Sequence, residues 1–134
     1  MIERDTPSQR LYVHHDANCN VTAILDTLGN VVERYTYDPF GQFTVLAPNW
    51  TTRSVSSFAW IYLHQSGRYD SNSGLFDFRS RAYSSSLGRW IEQDPIGFRA
   101  GDTNLYRYLR NDPSNGRDPY GLAGWVKRGR KPVR

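Results

Sequence analysis

Residues Gly67 to Gly97 read GRYDSNSGLFDFRSRAYSSSLGRWIEQDPIG, and this stretch decides the fold. Between Leu75 and Tyr83 the residues alternate: Leu75, Asp77, Arg79, Arg81 and Tyr83 fall on one face of an extended chain, and Phe76, Phe78, Ser80 and Ala82 on the other. One face is charged and one is apolar, as expected of a strand lying on a core. Ser84 to Gly88 is small, polar and ends in glycine, so it reads as a turn. Arg89 to Gln93 restarts extended chain, and Asp94-Pro95-Ile96-Gly97 stops it. Short hairpins therefore bring two arginines and an aspartate close together.

Working outward, the same pattern of short strands and punctuating turns recurs. Met1 to Gln9 is polar, holds Pro7 and reads as a loose lead-in. Arg10 to His14 and Asn20 to Leu25 read as strands around a polar turn, and Gly29-Asn30 is a hairpin signal because both residues tolerate positive φ. Asp-Pro-x-Gly occurs at Asp38, Asp94 and Asp118, with a near variant at Asp112. Each copy reads as a type I turn, with Asp bonding the backbone, Pro presetting φ and Gly closing the turn. Gln42 to Ser57 reads as a long connection, and Phe58 to Gln65 as a strand apolar on both faces. Asn104 to Arg110, with Leu105, Tyr108 and Leu109 at helical spacing, predicts one short helix near the C-terminus.

Composition sets the limits. The 134 residues have room for one domain, and aromatics at 14% with 11 glycines and 7 prolines suit a mainly β fold packed by rings. The net charge of +4 is concentrated after Leu122, where Lys127, Arg128, Arg130, Lys131 and Arg134 stand without an acid. Residues 1 to 122 carry 12 arginines against 13 acids, so the body is not basic and the tail is. Such a tail is expected to be solvated, and no specific nucleic-acid partner is expected. Cys19 is alone, which excludes an intrachain disulfide or a cysteine metal cluster. His14, His15 and His64 lack ligand spacing, so neither a metal nor a cofactor is expected. No apolar run has signal-peptide or membrane-span character, which points to a cytoplasmic chain as encoded.

The pattern YDxxSGLFxFRxRxYxxxLGRWxxxDPIG, continued by NLYRYLRNDPxNxxDPYGL at Asn104 to Leu122 and preceded by YTYDPFG at Tyr35 to Gly41, resembles the RHS/YD-repeat family. The resemblance covers about Arg10 to Leu122 and matches the RHS repeat-associated core, as in the shell-forming subunits of bacterial toxin complexes. It implies a mainly β fold of short antiparallel hairpins, a fragment of a hollow β-shell. It divides the chain into a lead-in at 1–9, a core module at 10–122 and a short basic tail at 123–134.

Relatives of this kind cut themselves after the Leu of a DPxGL motif and free a C-terminal toxin inside the shell. By that resemblance the bond here is Leu122 to Ala123, and the catalytic residues are Arg81, Asp94 and Asp118. Two carboxylates in close approach do not both ionise cheaply, so one can activate water while the other polarises the carbonyl, with an arginine orienting them. Two departures stand out: AGDTN before Leu105 resembles a one-residue insertion, and Ser84 stands where the family carries an acid. Turn logic gives Asp94 and Asp118 a purely structural role, since Asp38 has the same context. Only 12 residues follow Leu122, too few to fold as an effector enzyme.

The expectation is a C-terminal core, or plug, segment of an RHS-type shell that encloses and releases a C-terminal polypeptide, here truncated or orphan and mainly structural. Its expected partners are the rest of a shell or a second copy of itself. Two alternatives stand beside it: residual aspartyl-type self-cleavage after Leu122, and an aromatic β module that binds glycan or protein. For full-length relatives of this kind the resemblance implies export or surface association.

Overall fold

The structure is a computed structural model that describes residues 2–6, 9–122 and 125–126. Among the described residues twelve strands form three antiparallel sheets, within each of which chain neighbours pair. β1 (Ile2–Thr6), β2 (Gln9–His15), β3 (Val21–Leu25), β4 (Val31–Tyr37), β5 (Phe43–Leu46) and β6 (Thr52–Arg53) form a six-stranded meander. β7 (Arg68–Asp70), β8 (Leu75–Asp77), β9 (Ala82–Ser84) and β10 (Arg89–Trp90) form a second sheet, also in chain order. β11 (Gly116–Arg117) and β12 (Trp125–Val126) pair as a two-stranded ribbon. The mainly β, hairpin-built fold expected from the sequence is the fold observed.

One turn device builds the meander. Asp16, Asp26 and Asp38 each accept two bonds from four-residue turns: the backbone carbonyl takes the N–H three residues on, and Oδ1 takes the N–H four residues on. The residue at the third step, Cys19, Gly29 or Gly41, has positive φ. The bonds are local, so a short side-chain acceptor placed before a residue tolerant of positive φ suffices to write the turn.

Between the sheets lies one core of rings and branched side chains. Leu11, Val13, Val21, Ile24, Tyr35 and Val45 come from the meander, and Phe76, Phe78, Tyr83 and Trp90 from the second sheet. Phe43 crosses between them, edge-on to Tyr69 at 4.8 Å. Tyr108, fully buried, packs on Tyr83 with centroids 4.0 Å apart and edge-on to Trp90 at 5.3 Å. Burying a large aromatic side chain contributes about 2 kcal/mol or more, so this cluster anchors the irregular C-terminal third.

Several local expectations change. Leu75 to Tyr83 is a hairpin, not one strand: β8 stops at Asp77, β9 starts at Ala82, and Phe76 pairs with Tyr83. Asp77 Oδ1 accepts the Arg79 N–H at 2.8 Å, Arg79 adopts φ 72, and the turn inverts the alternation. Phe76, Phe78, Arg81 and Tyr83 all point inward. Phe58 to Gln65 is not a strand either; positive φ at Ala59 and Gln65 breaks it, and Tyr62 makes a single bridge to Arg68. Gln42 to Ser57, expected as a connection, contains the β5–β6 hairpin. Ile2–Thr6, expected as lead-in, is β1. The expected helix at Asn104 to Arg110 shrinks to a 3-10 turn at Leu109–Asn111, because Leu109, Arg110 and Asn111 all have positive φ.

Candidate functional site

Arg81 is the last residue of the turn between β8 and β9, which the Phe78 N–H closes onto the Arg81 carbonyl at 3.1 Å. With Tyr83 committed to the core two positions later, Arg81 is turned inward too, and only 4% of it is exposed. Its guanidinium lies over Trp90, 4.1 Å from the ring centroid. Nε donates to the Gly121 carbonyl at 2.6 Å and Nη1 to the Leu105 carbonyl at 3.3 Å. Nη2 stands 3.5 Å from Asp94 Oδ2 and 3.5 Å from Asp118 Oδ2. Burial draws Arg81 below the ordinary arginine range, and the charges of Asp94, Asp118 and Glu92 push it back up. It remains a cation.

Each aspartate reaches this arginine from an Asp-Pro-x-Gly turn. Asp94 accepts the Ile96 N–H on Oδ1 at 3.0 Å, and its own N–H donates to Leu105 at 3.0 Å, so Leu105 holds both Arg81 and Asp94. Asp118 accepts the Leu122 N–H on Oδ1 at 3.1 Å. Gly121, at φ 66, passes so close to the β8–β9 turn that an added Cβ would lie 3.0 Å from the Phe78 carbonyl oxygen. Arg79 covers the Tyr120 ring at 5.0 Å and closes the outer side.

The three side chains that the sequence singled out are thus brought together, and Leu122 with them. Ala123 lies outside the described residues. The arrangement differs from the expected carboxylate pair in one respect: the two carboxylates meet through a shared guanidinium. Sequence reasoning missed the Gly121 and Leu105 carbonyls, because a backbone acceptor has no residue signature. It also missed Trp90 as the platform under Arg81, although GRW lies inside the quoted motif.

Two further polar clusters had no sequence signal. Glu33, fully buried, accepts from Tyr35 Oη, Ser56 Oγ, the Ser57 amide and Arg53, which fastens the 53–57 segment to β4. His64, 1% exposed, bonds Asn20 at 2.8 Å and meets Tyr108 Oη at 3.3 Å, and burial lowers its pKa to about 4. The Tyr108 hydroxyl also donates to Gln65, whose amide holds the Pro113 and Gly116 carbonyls. Among the described residues no group of His, Cys, Asp or Glu is arranged to hold a metal, and no helix is long and apolar enough to cross a membrane.

The sequence profile of the Teneurin YD-shell matches residues 1–114, a span that includes Arg81 and Asp94. The chain belongs to the YD-shell family. Its YD-shell sequence is 33% identical over 110 residues to toxin subunit YenC2 of Yersinia entomophaga, covering 82% of this chain and 11% of that one. It is 38% identical over 107 residues to the putative uncharacterized protein YlbH of Escherichia coli, covering 75% of this chain and 39% of that one. Among solved structures, the crystal structure of TcdB2-TccC3-Cdc42 superposes with a TM-score of 0.76 at 28% identity, over 88% of this chain and 5% of that one. This YD-shell chain therefore spans a small part of the length of these relatives. It is an RHS-type domain related to shell subunits of multi-component toxins.

Proposed function

We propose that this YD-shell chain is the C-terminal core segment of an RHS-type shell, which encloses a C-terminal polypeptide and frees it by cutting after Leu122. The observation that carries the reading is the convergence of Asp94 and Asp118 on Arg81, while Arg81 and Asp118 between them hold the Gly121 carbonyl and the Leu122 amide. Asp118 positions the strand to be cut. Asp94, which among the described residues has no bond to that strand, takes the proton of an attacking water. Water oxygen adds to the Leu122 carbonyl carbon, the bond to the Ala123 nitrogen breaks, and the proton passes from Asp94 to the departing amine. Arg81 stays charged throughout and stabilises the negative charge that develops.

The second reading is that the same cluster is a clamp without chemistry, since turn-capping explains one oxygen of each aspartate. A third, an aromatic ligand surface, has less support, because Phe76, Phe78, Tyr83, Trp90 and Tyr108 are spent on packing one another. Intact mass decides between cleavage and clamp. On storage near neutral pH the parent chain is expected to lose residues 123 to 134, and Asp94→Asn, which keeps the turn acceptor, to retain them. An unchanged mass in the folded parent removes the cleavage reading and leaves the clamp.

A further inference from the structure

A cleft of about 550 Å³ lies between the Asp16 turn and the Asp38 turn, with Asn18, Thr36, Tyr37 and Ser114 on its walls. Among the described residues its charged members are Asp16 and Asp38, and no basic side chain lines it. Among the described residues neither aspartate has an ion-pair partner. Asp16 bonds the Asn18 and Asn20 amides and the Asn20 side chain, which fixes its position without neutralising its charge. Asp38 bonds the Gln42 amide through Oδ1 alone.

A second and independent observation comes from polar atoms with nothing to bind. Asn18 is 8% exposed; its Nδ2 donates to the Pro113 carbonyl at 2.9 Å, and its Oδ1 is buried without a partner. The Tyr37 hydroxyl is also buried without a partner. Leaving a buried polar group unpaired costs about 1–3 kcal/mol, and native structures keep few such groups; these two belong to residues on the walls of one cleft. The negative field of the two acids reaches inward, pushing against the burial that lowers His64.

We propose that this cleft binds the cationic side chain, arginine or lysine, of a basic polypeptide segment. Carboxylates on two turns, an amide oxygen and a phenol oxygen are all acceptors, which suits a group made only of donors; guanidinium has five N–H bonds in a planar fork. A metal ion is the poorer fit, since no three candidate ligands converge among the described residues. The site is separate from the Arg81 cluster, so the two proposals stand or fall independently.

Two sources could supply the cation. One is a partner chain; the other is this chain's own residues 127 to 134, which hold five cationic side chains. β12 pairs Val126 with Gly116, two residues from Ser114 on the cleft wall. Two arms separate them, both on the full chain carrying Asp94→Asn, which keeps residues 123 to 134 attached whichever way the Arg81 cluster acts. In the first, a penta-arginine peptide is titrated at low salt and amide shifts are followed by NMR. Saturable shifts confined to Asn18, Thr36, Asp38 and Ser114 are expected, weakening about fivefold or more in Asp38→Asn, which keeps the turn acceptor but loses the charge. In the second, carbodiimide couples carboxylates to nearby amines, and Lys127 and Lys131 are the chain's only lysines. A product joining either lysine to Asp16 or Asp38 assigns the site to the chain's own basic segment. No localised shift together with no such product, or a response spread equally over Asp70, Asp77 and Asp102, overturns the proposal.

Discussion

The turns at Asp38 to Gly41 and at Asp118 to Gly121 share a sequence pattern and a local structure, yet they have different surroundings. Both are closed by the glycine N–H on the aspartate carbonyl, at 3.0 and 3.4 Å, and both have Oδ1 accepting the next amide, from Gln42 and Leu122. Both need glycine for the same two reasons: positive φ, and a close neighbour where Cβ would sit, the His64 ring for Gly41 and the Phe78 carbonyl for Gly121. The difference is that Asp38 is exposed, whereas Asp118 is 3% exposed with Oδ2 on Arg81. A turn motif fixes where the carboxylate sits on its own backbone. It does not fix what that carboxylate meets.

The strongest way to break this comparison is to remove the cation that distinguishes the second turn. Arg81→Met should leave two largely buried carboxylates without their shared partner and lower stability by about 3–5 kcal/mol, read by urea unfolding. A loss near 1 kcal/mol would mean that the cluster is solvated and that Asp118 differs little from Asp38.

Acid tests the other turn through its neighbour. His64, packed on Gly41, has its folded pKa depressed from 6.5 to about 4. The unfolded chain therefore binds the extra proton between these values. The stability this contributes is complete above about pH 6.5 and falls away as pH drops toward 4, by up to about 3 kcal/mol. The loss should vanish from the pH profile of His64→Gln, and its persistence would assign it to the carboxylates instead.

The third test compares the aspartates directly. Asp118→Ala should cost about 2–3 kcal/mol, because it removes a turn acceptor and a buried ion-pair partner. Asp38→Ala should cost about 1 kcal/mol, because only the turn acceptor is lost. Equal effects in thermal or urea unfolding would show that the turn, not the ion pair, is what Asp118 contributes.

The hairpin at Gly29-Asn30, the stops at Asp38, Asp94 and Asp118 and the mainly β class were all readable in the sequence. So was the choice of Arg81, Asp94 and Asp118 as the residues to watch, through the resemblance to RHS proteins. Three of the readings that changed share one cause. Arg79, Ala59, Gln65, Leu109 and Arg110 adopt positive φ although their residue types do not favour it, and the packing around them makes that conformation hold. That is why a nine-residue alternation became a hairpin, and why an aromatic run and a short amphipathic run did not become strand and helix.

The sequence by itself determined the turns, since their hydrogen bonds close within four residues and depend only on Asp, Pro, Asn and Gly chemistry. It also determined that a basic run follows a balanced body. The tertiary structure decided what Arg81 touches. Its carbonyl partners at Gly121 and Leu105 lie 40 and 24 residues away, and Asp118 lies 37 away. Those contacts exist because Trp90, Tyr83 and Tyr108 stack into one core and carry their chain segments with them. A buried ion cluster depends on which segments the core draws together, and no local pattern encodes that.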